Sequence, residues 1–332
     1  MPEATSPATI RWGIAATGGI ATGFATDLAL VEGAVITAVG SRSQDRADEF
    51  GARFDIPHRH PSYEALAADP DVDVVYVASP HSRHAADAIV FLDAGKHVLC
   101  EKPMALNELE VASMIDAARR NSRFLMEAIL TRFTPAYVEL RRLLADGAIG
   151  TPLAVDAEFG MPFPHDPAHR LFDKALGGGA LLDLGIYPLQ LATMVLGPAA
   201  AVAAVGQLGV TDVDEQVVVS IRHEVGGLSV SKAASRVLLG NTARISGTTG
   251  SISLPAMFQN PNHFTLVSGD QTRQIDAPYD GIGLRFGAAE VHRCLAAGEL
   301  ESSVLPLDET RRLAAIMDEA RRQIGLRYPT DI

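Results

Sequence analysis

The 332-residue sequence predicts an α/β protein with an N-terminal doubly wound parallel sheet and a C-terminal α/β domain built on a large, mostly antiparallel open sheet. Its length exceeds what one hydrophobic core usually serves, so two domains are expected. In the first third, short β-branched runs alternate with amphipathic stretches, which is typical of a parallel sheet covered by helices. Closely spaced strand-like runs with glycine-containing turns follow later and favour antiparallel pairing. We predict domains at 1–128 and 129–332.

In the N-terminal domain, strands are predicted where apolar runs are short and nearly continuous, because a parallel sheet is buried on both faces. These runs cover residues 9–15, 34–41, 72–78, 96–100 and 123–127. Helices are predicted between them from apolar residues at helical spacing. They cover residues 20–31, 44–54, 82–94 and 107–121. Gly95 stands where a C-cap glycine belongs, and Asn107 stands where an N-cap residue belongs.

In the C-terminal domain, the rhythm of the sequence changes to longer runs of predicted strands. Helices are predicted over residues 134–145, 179–196, 283–297 and 307–324. Strands are predicted over residues 153–159, 201–210, 216–223, 228–234, 242–246 and 264–268. There is no repeat, low-complexity tract or flexible linker, so we expect the two domains to be tightly joined.

The composition excludes several classes of protein. The net charge is −12, from 28 Lys and Arg against 40 Asp and Glu, and no basic run is present, so nucleic acid is not the expected partner. Cys100 and Cys294 are too few for a disulfide framework, and their apolar surroundings predict buried, inert thiols. Residues 1–9 lack the apolar core of a signal peptide, and we expect no apolar run of transmembrane length. A soluble, cytoplasmic protein is expected.

A glycine-rich turn, Gly13-Ile-Ala-Ala-Thr-Gly18-Gly19-Ile-Ala21, lies between the first predicted strand and the first predicted helix. Glycine is needed where the backbone approaches a pyrophosphate, whose charge is met by the helix N-terminus. The turn therefore predicts a Rossmann domain that binds a dinucleotide. The expected contacts are Thr17, Gly18, Gly19 and Ile20. Read as G-x-G-x-x-A, the motif has Ala16 in its first position, which is a departure from the pattern.

The end of the second predicted strand bears on which dinucleotide binds. Enzymes that use NAD usually have an acidic residue there to bind the ribose 2′-hydroxyl, whereas this strand ends in Ser41 and Arg42. A hydroxyl and a guanidinium suit a 2′-phosphate, so we predict NADP rather than NAD. The alternative is that Arg42 is a solvated loop cation. Ser79 and His81 follow the predicted strand 72–78, where they either contact the cofactor or begin a helix.

Two further stretches carry polar residues in unusual positions. Glu101, Lys102 and a proline end a buried strand, and the carboxyl ends of such strands line the ligand site of an open α/β sheet. Asp183 and Tyr187 are spaced i and i+4, which puts a carboxylate and a phenol on one helix face. The alternative is that Asp183 is a surface acid and Tyr187 a packing aromatic.

Together these stretches resemble the glucose–fructose oxidoreductase/inositol dehydrogenase (Gfo/Idh/MocA) family along essentially the whole chain. The resemblance rests on Gly-Lys-His-Val-Leu-Cys-Glu-Lys-Pro (95–103) and Gly-Gly-Gly-Ala-Leu-Leu-Asp (177–183). It is closer to the branch that contains dimeric dihydrodiol dehydrogenase and NADP-dependent D-xylose dehydrogenase, on Phe-Leu-Met-Glu-Ala-Ile-Leu-Thr-Arg-Phe (124–133), Asp-Leu-Gly-Ile-Tyr (183–187) and the tail containing Tyr328-Pro329. Most of the wider family has His where this chain has Tyr187.

The resemblance implies a cytoplasmic oxidoreductase that transfers a hydride between nicotinamide and a sugar, polyol or related vicinal diol or carbonyl. It assigns Lys102 and Tyr187 as the acid–base pair and Asp183 as an orienting group. A tyrosine phenol titrates near pH ~10, and a nearby ammonium lowers that pKa. Glu101 either orients Lys102 or simply pairs with it, and the sequence leaves open which of Lys102 and Tyr187 moves the proton. The resemblance also implies a homodimer or higher oligomer.

The expected substrate contacts come from several segments of the second domain and the residues just before it. They are Leu130, Arg132, Phe159, Arg170 and Asp183, with pocket walls from Phe163, Phe172 and the segment near Phe258. Arg132 and Arg170 are alternatively structural ion-pair partners. Relatives often have Trp where this chain has Leu130, which favours saturated sugars over aromatic dihydrodiols.

Two other readings of the sequence remain. His165 and His169 are spaced like metal ligands, but no third ligand has suitable spacing, so no metal is expected. The rival to an enzyme is a non-catalytic NADP-binding sensor or regulatory protein. Such a protein would be expected to lose Lys102 or Asp183, and both are present.

Overall fold

The computed structural model describes residues 9–331, and the chain divides into two compact units. Unit 1 takes in Met1–Met104, Leu109–Leu130 and Asp280–Thr310; unit 2 takes in Ala105–Glu108, Thr131–Tyr279 and Arg311–Ile332. The division predicted between residues 128 and 129 falls near the end of the second segment of unit 1. The segment Asp280–Thr310, which that division placed in the C-terminal domain, packs with unit 1.

In its described part, unit 1 is built on a six-stranded parallel sheet. The strands are β1 (Ile10–Ala15), β2 (Ala34–Gly40), β3 (His58–His60), β4 (Val74–Val77), β5 (His97–Cys100) and β6 (Leu125–Glu127). Their order, β3-β2-β1-β4-β5-β6, reverses direction between β1 and β4. Ligands bind outside the carboxyl ends of the strands at such a switch point. The predicted doubly wound Rossmann sheet is confirmed.

The helices of unit 1 connect these strands, and one further helix comes from the distant segment. They are α1 (Gly19–Leu28), α2 (Gln44–Arg53), α3 (Tyr63–Ala67), α4 (His84–Asp93), α5 (Glu108–Asn121) and α8 (Arg285–Ala296). The buried carboxylate of Asp27, at the end of α1, accepts hydrogen bonds from the backbone N–H groups of Ile282 (3.0 Å) and Arg285 (3.1 Å). The indole of Trp12 donates to His292 at 3.0 Å. These contacts explain why α8 packs with the parallel sheet.

Unit 2 contains an eight-stranded sheet within the described residues. Its strands are β7 (Pro152–Gly160), β8 (Ala199–Leu208), β9 (Asp214–His223), β10 (Leu228–Ala234), β11 (Ala243–Gly247), β12 (Gly250–Leu254), β13 (His263–Ser268) and β14 (Gln271–Asp276). Their order is β14-β13-β12-β11-β7-β10-β9-β8, and every neighbouring pair is antiparallel except β7 with β10. The predicted large, mostly antiparallel sheet is confirmed.

The helices that accompany this sheet are α6 (Pro135–Ala145), α7 (Ile186–Leu196) and α9 (Leu307–Ile324). The prediction of one continuous α-helix over residues 179–196 was wrong at its start. Leu181–Gly185 forms a π-helical turn, and α7 continues from Ile186. The uniformly apolar sequence gives no signal for this change in hydrogen-bond pattern. Single π turns inside helices are frequent at functional sites.

One stretch, Lys174–Leu196, is long and apolar enough to cross a membrane by length and composition alone. The expectation that no run reaches this length was therefore wrong for this stretch. Its most apolar window has a mean hydropathy of 1.4, and 83% of that window is buried inside the protein. The core helix of a globular unit has these properties, and α7 packs against β7 and β10.

Candidate active site

The first strand leads into α1 through the glycine-rich turn. Gly18 is the N-cap residue, no side chain caps the helix, and its first turn has no acidic residue. A Cβ on Gly18 or Gly19 would meet no atom within 4 Å, so the backbone here borders open space. The N–H groups of an uncapped helix N-terminus attract phosphate. The turn, with Thr17 half-buried and Ile20 exposed, therefore fits the pyrophosphate of a dinucleotide.

Ala16 shows how the departure from the glycine pattern is accommodated. Its φ is +95°, a left-handed conformation that glycine adopts freely and alanine adopts at a cost of about 1–2 kcal/mol. Its backbone N–H donates to the carbonyl of Gly40 at 2.9 Å, which ties the turn to the end of β2. The chain thus keeps the backbone shape of the motif although the glycine is absent.

Ser41 and Arg42 follow β2, where the sequence predicts the site of the 2′-phosphate. Ser41 is buried, its backbone N–H donates to the carbonyl of His60 at 3.1 Å, and its Oγ accepts from the backbone N–H of Ser43 at 3.4 Å. Arg42 is exposed. The serine is therefore fixed in place, while the guanidinium is accessible to a ligand.

After β4, Ser79 lies in a bend, and His81 begins a short 3₁₀ turn (His81–Arg83) that precedes α4. Both are buried, and the Oγ of Ser79 has no hydrogen-bond partner within the described chain. A buried hydroxyl without a partner is unfavourable, so it is a candidate for a ligand contact. The His84 ring lies between the carbonyls of Ser79 and Pro103, 2.8 Å from each, and joins this turn to the segment that carries Lys102. Burial lowers the pKa of His84, against the opposing effect of the two carbonyls.

Glu101 holds the backbone of Lys102. Its carboxylate accepts a hydrogen bond from the Lys102 backbone N–H at 3.1 Å and another from the phenol of Tyr76 at 2.5 Å. Tyr76 is fully buried and stacks on Phe24 at 3.8 Å between ring centroids. Glu101 is itself buried, whereas Lys102 is half-buried. A rigid core aromatic thus fixes Glu101, and Glu101 fixes the start of the Lys102 segment.

In unit 2, the π-helical turn carries Asp183. The carboxylate is buried and accepts a two-pronged hydrogen bond from Arg170, at 3.2 Å and 3.1 Å, while the guanidinium stays half exposed. Paired hydrogen bonds of this kind fix both the position and the orientation of a carboxylate. The structure therefore brings these two predicted site residues together. Arg170 adopts the ion-pair role that the sequence left open.

The glycines before Asp183 are needed because the backbone there is crowded. A Cβ on Gly178 would lie 2.6 Å from the carbonyl of Leu171, and a Cβ on Gly179 would lie 2.2 Å from Oδ1 of Asp214. Gly179 also has a φ of +126°. The backbone N–H of Gly179 donates to Leu171 at 2.8 Å. This packing holds the glycine run against the segment that supplies Arg170.

Asp214 and Tyr328 complete this arrangement, and sequence reasoning did not identify either as part of the site. The fully buried Asp214 carboxylate accepts from the backbone N–H of Leu181 at 2.6 Å, and the Tyr328 hydroxyl donates to the carbonyl of Gly178. Burial raises the pKa of Asp214 to about 6, although hydrogen bonds to Leu181 and Ala180 act against the rise. The only sequence signal was the tail motif that contains Tyr328.

Tyr187 is the second residue of α7 and is half-buried. The ring of Phe159 packs edge-on against it, with centroids 5.5 Å apart, and Phe159 also contacts Phe258 at 6.3 Å. Phe159, a predicted pocket residue, therefore packs directly against Tyr187, and Phe258 packs behind Phe159. Phe172 is fully buried, so it supports the site from within rather than lining an open pocket as predicted.

The other residues predicted to contact substrate differ in their burial and in their partners. Arg132 is 1% exposed and donates to the side chain of Gln190 at 2.6 Å and to its carbonyl at 3.0 Å, which favours the structural alternative. Leu130 is half-buried, and Phe163 stacks on His169 at 6.3 Å. Arg132 therefore anchors α7 one turn beyond Tyr187.

Asp214 should make stability depend on pH. Its folded pKa of about 6 exceeds its ordinary value of 3.8, so between these values the folded chain holds a proton that the unfolded chain has lost. The contribution of Asp214 to the free energy of unfolding therefore falls as pH rises from about 4 to about 6, by up to ~1.4 kcal/mol per pH unit. The stability of Asp214→Asn relative to wild type should therefore increase as the pH rises through that window. Urea unfolding of both proteins at matched pH values checks this, and a pH-independent difference would contradict it.

A parallel sheet with this strand order and an open, uncapped helix N-terminus after β1 defines a dinucleotide-binding protein. In unit 2, the buried Asp183 carboxylate and the half-buried Tyr187 phenol lie four residues apart in the chain. The comparison with known proteins agrees. Residues 10–129 match the model of an oxidoreductase family with an NAD-binding Rossmann fold, and residues 137–253 match the GFO/IDH/MocA C-terminal domain.

Individual relatives match nearly the whole chain. The chain is 41% identical over 333 residues to trans-1,2-dihydrobenzene-1,2-diol dehydrogenase from Danio rerio, covering 97% of this chain and 99% of that protein. Aldose-aldose oxidoreductase from Caulobacter crescentus, complexed with glycerol, has a TM-score of 0.88 at 25% identity, covering 96% and 98% of the two chains. A 3-ketoreductase from Actinomadura kijaniata with NADP and TDP-benzene has a TM-score of 0.83 at 26% identity, covering 95% and 98%.

The chain belongs to the GFO/IDH/MocA oxidoreductase family. It is an oxidoreductase with an NAD(P)-binding Rossmann domain, as the sequence predicted.

Proposed function

We propose that the protein is an NADP-dependent dehydrogenase or reductase that acts on a CH–OH group of a sugar, polyol or related vicinal diol. The observation that carries the proposal is the buried Asp183 carboxylate, fixed by Arg170 one turn before the half-buried phenol of Tyr187. A fixed carboxylate suits a hydroxyl donor, and a phenol suits exchange of the proton on the carbinol oxygen. The relatives named above as acting on diols and aldoses support this substrate class.

The nicotinamide, when bound, accepts or supplies the hydride at the reacting carbon. The residues of this chain bind, orient and move the proton. Asp183 accepts a hydrogen bond from a substrate hydroxyl, and Tyr187 with Lys102 takes the proton from the carbinol oxygen during oxidation and returns it during reduction. A nearby ammonium favours the phenolate form of a tyrosine and makes it a better base near neutral pH, which is the role that the proposal gives to Lys102. Glu101 is a positioning residue that holds the Lys102 backbone.

A second candidate substrate is a trans-dihydrodiol of an aromatic ring, since the relatives at about 40% identity carry that name. Leu130 stands where such relatives often have a stacking aromatic, so we favour saturated sugars. The discriminating experiment is cofactor reduction with aldoses, polyols and trans-1,2-dihydrobenzene-1,2-diol side by side. A specificity constant for the dihydrodiol above that of every sugar would assign the second candidate.

The preference for NADP follows from Ser41 and Arg42. We expect NADP to bind more tightly than NAD by about tenfold or more, because a charge-assisted contact contributes roughly 1.5–3 kcal/mol. Arg42→Ala should narrow this ratio. The exposed Arg46 on α2 is a matched control, because Arg46→Ala removes the same charge outside the strand end. Fluorescence titration of both cofactors gives the ratio, and equal Kd values for the unmutated protein would refute the preference.

We further propose that the protein is cytoplasmic and forms a homodimer through the outer face of the eight-stranded sheet. Val205 on β8 and Val218 on β9 are cross-strand partners, and both are exposed, at 78% and 40%. Apolar cross-strand pairs on an open sheet face suit a self-complementary interface. Sedimentation velocity should show a dimer at micromolar concentration and a shift toward monomer in Val218→Glu. A wild-type monomer at that concentration would contradict the assignment.

A further inference from the structure

Two histidines on β3 point toward one carboxylate in unit 1. His58 and His60 are separated by a single residue, so their side chains share one face of the strand. Nδ1 of His58 and Nε2 of His60 lie 2.7 Å and 2.8 Å from the same oxygen, Oδ2 of Asp69. The three potential ligand atoms all lie within 4.8 Å of one another. They come from an edge strand and from the segment after α3, and the Gly18 turn contributes nothing to them.

We propose that His58, His60 and Asp69 form a binding site for a divalent transition metal, with Zn²⁺ as the favoured ion. Two imidazoles and one carboxylate are a donor set that zinc prefers, at about 2.0–2.2 Å from each atom. Ligand atoms around a tetrahedral ion at those lengths lie about 3.3 Å apart. Each ligand pair therefore needs to move by only about 0.5–1.5 Å to close around the ion.

The surroundings of the carboxylate orient it for this role. Oδ1 of Asp69 accepts from the backbone N–H of Asp71 at 2.8 Å, which leaves Oδ2 directed at the two rings. The Asp69 side chain is 3% exposed, whereas His58 and His60 are 40% and 22% exposed. The buried ligand is thus anchored, and the open side leaves room for water as a fourth ligand. Secondary hydrogen bonds of this kind orient metal-binding carboxylates.

Charge and proton balance also permit binding. Without a metal, each ring donates one N–H to Oδ2; with a metal, the proton of each neutral ring resides on its other nitrogen, and no redox change is needed. Lys96 directs its Nζ to the carbonyls of Asp69 (2.6 Å) and Val72 (2.8 Å), and Arg11 pairs with Asp71 (2.7 Å) and Asp73 (2.8 Å). The carboxylate therefore remains available to a cation.

The site would join the edge strand β3 to the chain after α3. His60 pairs with Gly40 of β2, and its carbonyl accepts from the backbone N–H of Ser41. A bound ion would therefore brace the end of β2 as well as β3. No metal was expected from the sequence, in which His165 and His169 were the histidines considered as possible ligands. The proposal does not depend on the enzyme's substrate or on its choice of cofactor.

The test is Zn²⁺ binding to the chelator-treated, full-length protein, measured by isothermal titration calorimetry. We expect one ion per chain and a rise in the thermal midpoint with added Zn²⁺. His60→Gln, at a partly exposed position, should weaken binding by at least about 100-fold and abolish the rise, since even outer hydrogen-bonding partners contribute 10–100-fold. The double variant His165→Gln/His169→Gln is the matched control and should bind as wild type does.

Co²⁺ provides an independent reading of the geometry, because its visible absorption differs between tetrahedral and octahedral coordination. Wild type should give the intense tetrahedral spectrum and His60→Gln should lose it. The proposal is overturned if wild type binds no Zn²⁺, if His60→Gln binds as tightly as wild type, or if only the His165/His169 variant loses the ion. None of these results would bear on turnover with NADP, so they are separable from the proposed function.

Discussion

Replacing Tyr187 by phenylalanine should lower turnover on the best substrate by roughly 10²–10⁴, the usual contribution of general acid–base catalysis. The substitution removes the phenolic proton but keeps the ring, so its contact with Phe159 and the affinity for NADP should change little. Tyr137→Phe is the matched control, because that phenol donates to the carbonyl of Phe258 at 3.1 Å and has no proposed catalytic role. Its loss should reduce stability slightly and leave turnover within a few-fold of wild type.

Lys102→Ala should cause a loss of similar size, because the proposed mechanism pairs the Lys102 ammonium with the phenol of Tyr187. If the two residues act as one unit, the double variant should be only a little slower than the slower single variant. Tyr187→His should restore partial activity with a lower pH optimum, given the ~6.5 pKa of histidine. Steady-state kcat values across pH measure all three effects. Near-full turnover in Tyr187→Phe would make Tyr187 a packing residue.

Gly179→Ala should destabilise unit 2 by about 3 kcal/mol or more. Alanine would have to adopt a φ of +126°, and its Cβ would stand 2.2 Å from the buried Asp214 carboxylate. Backbone strain and overpacking each contribute roughly 1–3 kcal/mol. Because the same carboxylate holds Leu181 at the start of the π-helical turn, the displacement should also reach Asp183. Turnover should therefore fall even at temperatures where the variant remains folded.

Gly197→Ala separates the two causes. Gly197 also has a left-handed φ, of +77°, but a Cβ there would meet no atom within 4 Å. Its φ of +77° and ψ of −161° are essentially restricted to glycine, so the substitution should cost only this backbone strain, roughly 1–3 kcal/mol, and should leave turnover unchanged. Chemical unfolding and kcat are measured for both variants. Equal losses of stability would show that crowding by Asp214 contributes nothing.

The architecture was predictable wherever the apolar pattern of the sequence was strong. Strand β10 and helix α9 have the predicted bounds. Apolar and polar residues alternate in β10, and apolar residues recur at helical spacing in α9. Helix α3 and the internal strand β12 were not predicted, and neither were strands β3 and β14. The two strands lie at sheet edges and are short or polar, as His58–His60 and Gln271–Asp276 show, so no buried face imposes a period on them.

The candidate site was predictable only as a set of residues, since its supporting contacts join distant parts of the chain. The sequence identified Asp183 and Arg170 separately, but the hydrogen bonds between them depend on how the glycine run packs. Asp214 is 31 residues beyond Asp183 (214 − 183), and Tyr328 is farther still, so no local pattern links either to the turn. The left-handed φ of Ala16 shows the same limit, because the motif predicts glycine there and only tertiary contacts keep the shape.

The central claim is tested most directly by the reduction of NADP⁺ in the presence of vicinal diols. Purified protein is mixed with NADP⁺ or NAD⁺ and with a panel of aldoses, polyols, deoxysugars and trans-1,2-dihydrobenzene-1,2-diol, and absorbance of the reduced nicotinamide is followed. We expect substrate-dependent reduction that is faster with NADP⁺ than with NAD⁺ and that Tyr187→Phe and Lys102→Ala both suppress. The opposite result is a protein that binds NADP, with an affinity that neither substitution changes, and that reduces it with no member of the panel. That result would contradict the proposed function and indicate a non-catalytic sensor.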